Sequence, residues 1–180
     1  MIRTAAIALV LFASSAFAAE PVKSGPQVGE KVPGPFHPLN INGEMAGKKH
    51  CLFCQNGQNP VAMIFARSTD DATIDLIKKI EEATAKNSKS SMGSFVVFLS
   101  DDKDLEGKLK TVAEKTGLKN CVLSIDNPAG PKGYNVNEKA DVTVVLYSER
   151  NVKANHSFAK GELNSKAIEA VVADVSKIVK

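Results

Sequence analysis

His50-Cys51-Leu52-Phe53-Cys54-Gln55-Asn56-Gly57-Gln58-Asn59-Pro60 runs straight into Val61-Ala62-Met63-Ile64-Phe65-Ala66. The second of these segments decides the fold. It is apolar without interruption, short, and bounded by Pro60 and Arg67, which predicts a strand buried on both faces. The first segment holds two of the chain's three cysteines, spaced C-x-x-C. A close dithiol beside such a strand suggests thiol chemistry. The cysteines come before the strand, however, not after it.

Working towards the C-terminus, Ser68, Thr69 and Asp70 offer helix N-caps. Ile74, Ile77, Ile80 and Thr84 then recur at helical spacing, with Leu76 and Ala83 widening the stripe. Phe95 to Leu99 predicts a second buried strand. Asp101 or Asp102 is placed to cap a second helix with Leu105, Leu109, Val112, Ala113 and Thr116 on one face, and Gly117 is its stop. Cys121 to Leu123 with Ile125 reads as a third strand. Asn127 to Ala140 is loop-like, with Tyr134 and Val136 as its large apolar anchors. Val142 to Tyr147 is a fourth strand, and Glu149-Arg150-Asn151 turns it into a half-exposed strand, Val152 to Phe158. A last helix carries Ile168, Val171, Val172, Val175, Ile178 and Val179, capped by Asn164 or Ser165.

Towards the N-terminus, Asn42-Gly43 is a turn signal after a short edge strand within Phe36 to Ile41. Residues 19–35 are polar with Pro and Gly and read as a flexible lead-in to a domain spanning 36–180. Arg3, the apolar run Ala5 to Ala13 and Ala16-Phe17-Ala18 form a secretory signal peptide pattern, residues 1–18, cut after Ala18. The chain is therefore expected to be exported, periplasmic or extracellular, with no membrane attachment after cleavage. Disulfides persist in such compartments.

About 160 mature residues suit one domain with a real core. The formal net charge is +3 with scattered lysines and no tryptophan, so nothing indicates a nucleic-acid groove. No P-loop, dinucleotide glycine motif or Ser-His-Asp pattern is present, and no cofactor is expected. Strand–helix–strand units need right-handed crossovers and parallel strands, whereas the short turn at Glu149 needs an antiparallel pair. The expectation is an α/β three-layer sandwich: a mostly parallel sheet with an antiparallel edge hairpin, covered by helices on both faces.

This pattern resembles the thioredoxin-like superfamily, nearest its peroxiredoxin (alkyl hydroperoxide reductase/thiol-specific antioxidant) branch. Val28-Gly29-Glu30-Lys31-Val32-Pro33 with Phe36, Leu39 and Gly43 is similar to that branch's lead-in. Phe95 to Asp101 is similar to its second strand, which ends in Ser-Asp. Leu123-Ser124-Ile125-Asp126 with Tyr134-Asn135-Val136 resembles the stretch that follows, and Val142 to Lys153 the closing hairpin. The standard site motifs are absent. Arg67 to Ile74, where the resemblance places a catalytic cysteine, has none. Val142 stands where the family usually has a cis-proline. No catalytic residue is transferred, and fast peroxidase turnover is not expected.

Cys51 and Cys54 are the candidate site, and three readings stay open. A redox-active pair, with His50 beside it to stabilise a thiolate, would exchange with protein thiols or disulfides. A static disulfide would only clip a loop in a non-catalytic binding domain. A metal site would use Cys51, Cys54 and His50, with His37 or Met45 as further ligands. In the redox case at least one sulfur is expected to be reachable, and Cys54→Ser is expected to trap a mixed disulfide through Cys51. Phe53 is expected to fold against the domain in either case, and in the static case both sulfurs are covered. The usual α/β site, at the carboxyl ends of the strands, falls near Arg67 and Asp101, and the pair is expected to lie away from it. Asp70 and Asp71 read as helix caps, His156 as a satisfied half-buried side chain, Met45 and Met63 as packing residues, and Cys121 as a small buried hydrophobe.

Overall fold

The computed structural model describes residues 22–179, and the signal-peptide reading of residues 1–18 lies outside the described residues. Its elements are β1 (Leu39–Asn40), α1 (Leu52–Asn56), β2 (Val61–Ala66), α2 (Asp71–Lys86), β3 (Gly93–Leu99), α3 (Leu105–Thr116), β4 (Cys121–Asp126), β5 (Ala140–Ser148), β6 (Asn151–Ala159) and α4 (Ser165–Asp174). Short 3-10 turns follow α2 and α4. Every residue of β2 is buried, as its unbroken apolar run requires.

The strands form one sheet in the order β1-β4-β3-β2-β5-β6. β2, β3 and β4 are parallel, with Met63 opposite Phe95 and Phe95 opposite Val122. β5 runs antiparallel to β2 and β6 antiparallel to β5, which puts β6 at an edge. β1 adds an antiparallel pair at the other edge. The sheet is therefore mixed, a parallel trio flanked by antiparallel strands, where sequence predicts a mostly parallel sheet. The reason is the connection after β4. No helix carries the chain back across the sheet, so residues 127–139 stay at the carboxyl end of the trio and the chain re-enters running the other way.

Alternation along β2 divides the core in two. Ala62, Ile64 and Ala66 face Leu76, Ile77 and Ile80 of α2, Leu109 of α3, and Ile168 and Val171 of α4. Two successive right-handed crossovers in the same direction put α2 and α3 on the same face. Val61, Met63 and Phe65 face the opposite way, into a cluster with Val32, Phe36, Cys51, Leu52, Phe53 and Tyr134. Helices thus cover both faces, but unequally. The second layer is built from the five-residue α1, the long loop and the N-terminal segment.

That segment, read from sequence as a lead-in, is bonded into the layer. The Ser24 hydroxyl accepts from Asn137 N–H at 2.9 Å and from the Thr143 hydroxyl at 2.7 Å. Asn155 Nδ2 donates to the Ser24 carbonyl at 2.9 Å. Gly29 and Glu30 exchange backbone hydrogen bonds with Val152 of β6. Gly25 sits at φ +72°, where a Cβ would lie 3.1 Å from the Thr143 methyl.

On the helical face, Asp70 caps α2 by accepting Thr73 N–H at 2.8 Å, and Gly117 ends α3 at φ +66°. Glu81 of α2 does more. Its carboxylate accepts the backbone N–H groups of Lys119, Asn120 and Cys121, and the Asn120 side-chain amide at 2.7 Å. This fixes the entry to β4. Partial burial pushes the Glu81 carboxyl up, but the Asn120 amide and the backbone donors together hold it below its ordinary value. A depressed folded value gives stability that is present above the unfolded value, about 4.3, and is lost as pH falls through the folded one. Glu81→Gln is therefore expected to cost about 1–2 kcal/mol at pH 7 and much less at pH 3. Urea unfolding at the two pH values measures this, and an equal cost at both would remove the charge from the account.

Candidate functional site: the Cys51–Cys54 pair

Cys51 is the N-cap of α1. Its backbone is extended, φ −87° and ψ 96°, and its Sγ accepts the Cys54 N–H at 3.1 Å. Gly57 ends the helix at φ +57°, its N–H returning to the Cys54 carbonyl. Sequence leaves this stretch as loop. The legible signal was Gln55-Asn56-Gly57, a glycine stop one turn after a polar-capable residue. One helical turn brings positions i and i+3 together on one side. Cys51 and Cys54 are joined as a disulfide with a Cα separation of 5.2 Å, inside the bridging range.

The turn is fastened to the sheet at several points. The ring of Phe53 lies 6.4 Å from that of Tyr147, and the Arg150 guanidinium sits over it at 5.0 Å from its centroid. Leu52 is buried in the same cluster. Asn56 donates from Nδ2 to the Leu52 carbonyl at 2.8 Å and presses its side chain against Gly93, the first residue of β3. Seated this way, α1 presents its two cysteines unequally. Cys51 is 4% exposed within the second-face cluster, whereas Cys54 is exposed to solvent.

The other sequence candidates lie elsewhere or do other things. His50 immediately precedes Cys51, is half-buried, and gives its backbone N–H to the Pro38 carbonyl at 3.2 Å. His37 is exposed and Met45 half-buried. Among the described residues no cluster of three or more His, Cys, Asp or Glu side chains is placed to hold a metal ion. At the carboxyl end of the strands, Arg67 ties down the long loop, donating to the carbonyls of Pro128 at 2.7 Å, Ala140 at 3.1 Å and Asn137 at 3.4 Å. Asp70 is occupied as the α2 cap, and Thr73 N–H holds its carboxyl below the usual value. Val142, in the position of the family's cis-proline, is opposite Ala66, and no cis peptide occurs among the described residues. His156 Nε2 lies 3.0 Å from Asp174 Oδ2, a partnered edge-strand histidine. Cys121 is free and fully enclosed, and burial pushes its thiol up to about 12.

Neither a family model nor a curated protein sequence matches the chain. Solved structures do, over most of their length and at low identity. A candidate protein disulfide isomerase from Bacteroides thetaiotaomicron superposes with TM-score 0.65 and 16% identity, covering 88% of this chain and 94% of that one. A 2-Cys peroxiredoxin of Plasmodium vivax gives 0.61 and 16%, with coverages of 84% and 81%. A secreted Mycobacterium tuberculosis disulfide oxidoreductase, homologous to E. coli DsbE, gives 0.54 and 11%, with coverages of 78% and 94%. The fold is thioredoxin-like. Thiol–disulfide proteins and peroxiredoxins both occur among its structural neighbours, and a C-x-x-C disulfide lies at α1.

Proposed function

We propose that this thioredoxin-like chain is an exported protein that exchanges disulfides with protein thiols through Cys51 and Cys54. The observation that carries the proposal is the unequal exposure of one bonded pair: Cys54 faces solvent while Cys51 is anchored in the core. A sulfur open to an incoming thiolate is what exchange needs.

Magnitude favours the same reading. By chain entropy, a bridge closing so short a loop stabilises by only about 2 kcal/mol, against about 3 kcal/mol or more for loops of fifteen residues and longer. Two neighbouring structures, a candidate disulfide isomerase and a secreted disulfide oxidoreductase, add support by analogy of fold. The signal pattern of residues 1–18 is the ground for export. Among the described residues no helix is long and apolar enough to cross a membrane.

The test is the reduction potential of the Cys51–Cys54 pair in glutathione buffers. An exchanging pair is expected between about −120 and −270 mV, the span of known oxidoreductases. A value below about −300 mV would leave the pair as a static clip and the domain as a non-catalytic one.

A further inference from the structure

We infer that Cys54, the second cysteine, is the sulfur that partners attack and that carries the mixed disulfide, while Cys51 leaves and later resolves it. The inference rests on the exchange reading above and reverses the order expected from sequence, in which Cys51 carries the mixed disulfide. Two independent features of the site assign the same roles.

The first is approach. Which sulfur of a disulfide is attacked depends on access, and the incoming thiolate comes in line with the bond being broken. Cys51 is 4% exposed and belongs to a buried cluster with Phe36, Leu52 and Phe53, so an incoming thiolate has little access to it. Attack on Cys54 comes from solvent. The second is departure. The sulfur that leaves fastest is the one whose thiolate is better stabilised. Cys51 Sγ already accepts the Cys54 N–H at 3.1 Å, and a hydrogen bond to the charged form favours it. The exposed cysteine and the better leaving group are therefore on opposite sides of the bond, as a directed exchange requires.

The electron balance is simple. A partner thiolate forms a bond to Cys54 Sγ, the Cys51–Cys54 bond breaks, and its electron pair stays on Cys51 as a thiolate. A second thiolate of the same partner then attacks the partner's sulfur in the mixed disulfide, and Cys54 leaves as a thiolate. The partner dithiol is oxidised to a disulfide and the pair is reduced by two electrons. In reverse, Cys54 attacks a partner disulfide, and Cys51 closes on Cys54 and expels the partner thiol. Cys51 is held for that closing step, because Phe53 and Asn56 pin α1 to the sheet. The partner class is a protein carrying an accessible dithiol or disulfide.

The experiment uses the reduced full chain with substoichiometric iodoacetamide, followed by peptide mapping, which also separates the enclosed Cys121. Label is expected on Cys54 at a rate at least about ten-fold above Cys51, because the covering of Cys51 outweighs the stabilisation of its thiolate. Cys51→Ser is expected to accumulate a mixed disulfide with oxidised glutathione and Cys54→Ser to accumulate little. Faster labelling of Cys51, equal labelling, or accumulation on Cys54→Ser would overturn the assignment. The potential of the unmodified pair separates the two failures. A pair that equilibrates with glutathione while Cys51 takes the label refutes only the order of attack. A pair that does not equilibrate refutes the exchange reading and this inference with it.

Discussion

Tyr134→Ala should destabilise the protein by about 3–5 kcal/mol, the range for removing a large buried ring. Tyr134 belongs to the long loop between β4 and β5, yet it is 1% exposed. Its ring meets Phe36 of the N-terminal segment at 5.0 Å and Phe65 of β2 at 5.7 Å, both edge-on, the geometry that adds to area burial. Its hydroxyl donates to the Gly34 carbonyl. One side chain thus joins the long loop, the N-terminal segment and β2. Tyr134→Phe keeps the ring and loses the hydrogen bond, and about 1 kcal/mol is expected. Urea unfolding of the two variants measures both. A cost for alanine no larger than for phenylalanine would mean that the ring does not hold the second layer together.

Gly93→Ala should cost about 1–3 kcal/mol by overpacking and should do so through α1. A Cβ at Gly93 would lie 1.9 Å from Asn56 Oδ1 and 2.8 Å from its Cγ. The Asn56 side chain is not a free end that can swing aside, because its amide is bonded to the Leu52 carbonyl. Moving it breaks that bond and lifts the turn that holds Cys51 and Cys54. In an Asn56→Ala background the obstruction is gone, and Gly93→Ala should then cost less than about 0.5 kcal/mol. A double-mutant cycle by chemical unfolding gives the coupling. Purely additive costs would show that Gly93 is needed for β3 itself and not for seating α1.

Much of the fold was legible in the sequence because it depends on local period. The unbroken runs Val61 to Ala66 and Phe95 to Leu99 specify buried neighbouring strands, and the structure pairs them in parallel. The stripe from Ile74 to Thr84 specifies one face of α2, and Gly117 ends α3. Asp70, His156 and Cys121 also take the structural roles their types and positions suggest. Each of these follows from which residues recur at 2 or 3.6 positions and from what a single side chain can satisfy.

Other features depend on contacts between segments far apart in the chain, which no local period encodes. The direction of β5 was set by a loop that returns without a helix, so the sheet is mixed. The N-terminal segment reads as a polar lead-in because its bonds, from Ser24 to Asn137, Thr143 and Asn155, are made with residues more than a hundred positions away. The cysteine pair divides along the same line. Sequence alone places two cysteines three positions apart before a buried strand, and so determines that they can bond. Which sulfur meets solvent was decided by the tertiary structure. Phe53 turns inward onto Tyr147, Asn56 closes on Gly93, and the one helical turn between those anchors leaves Cys51 facing the core and Cys54 facing out.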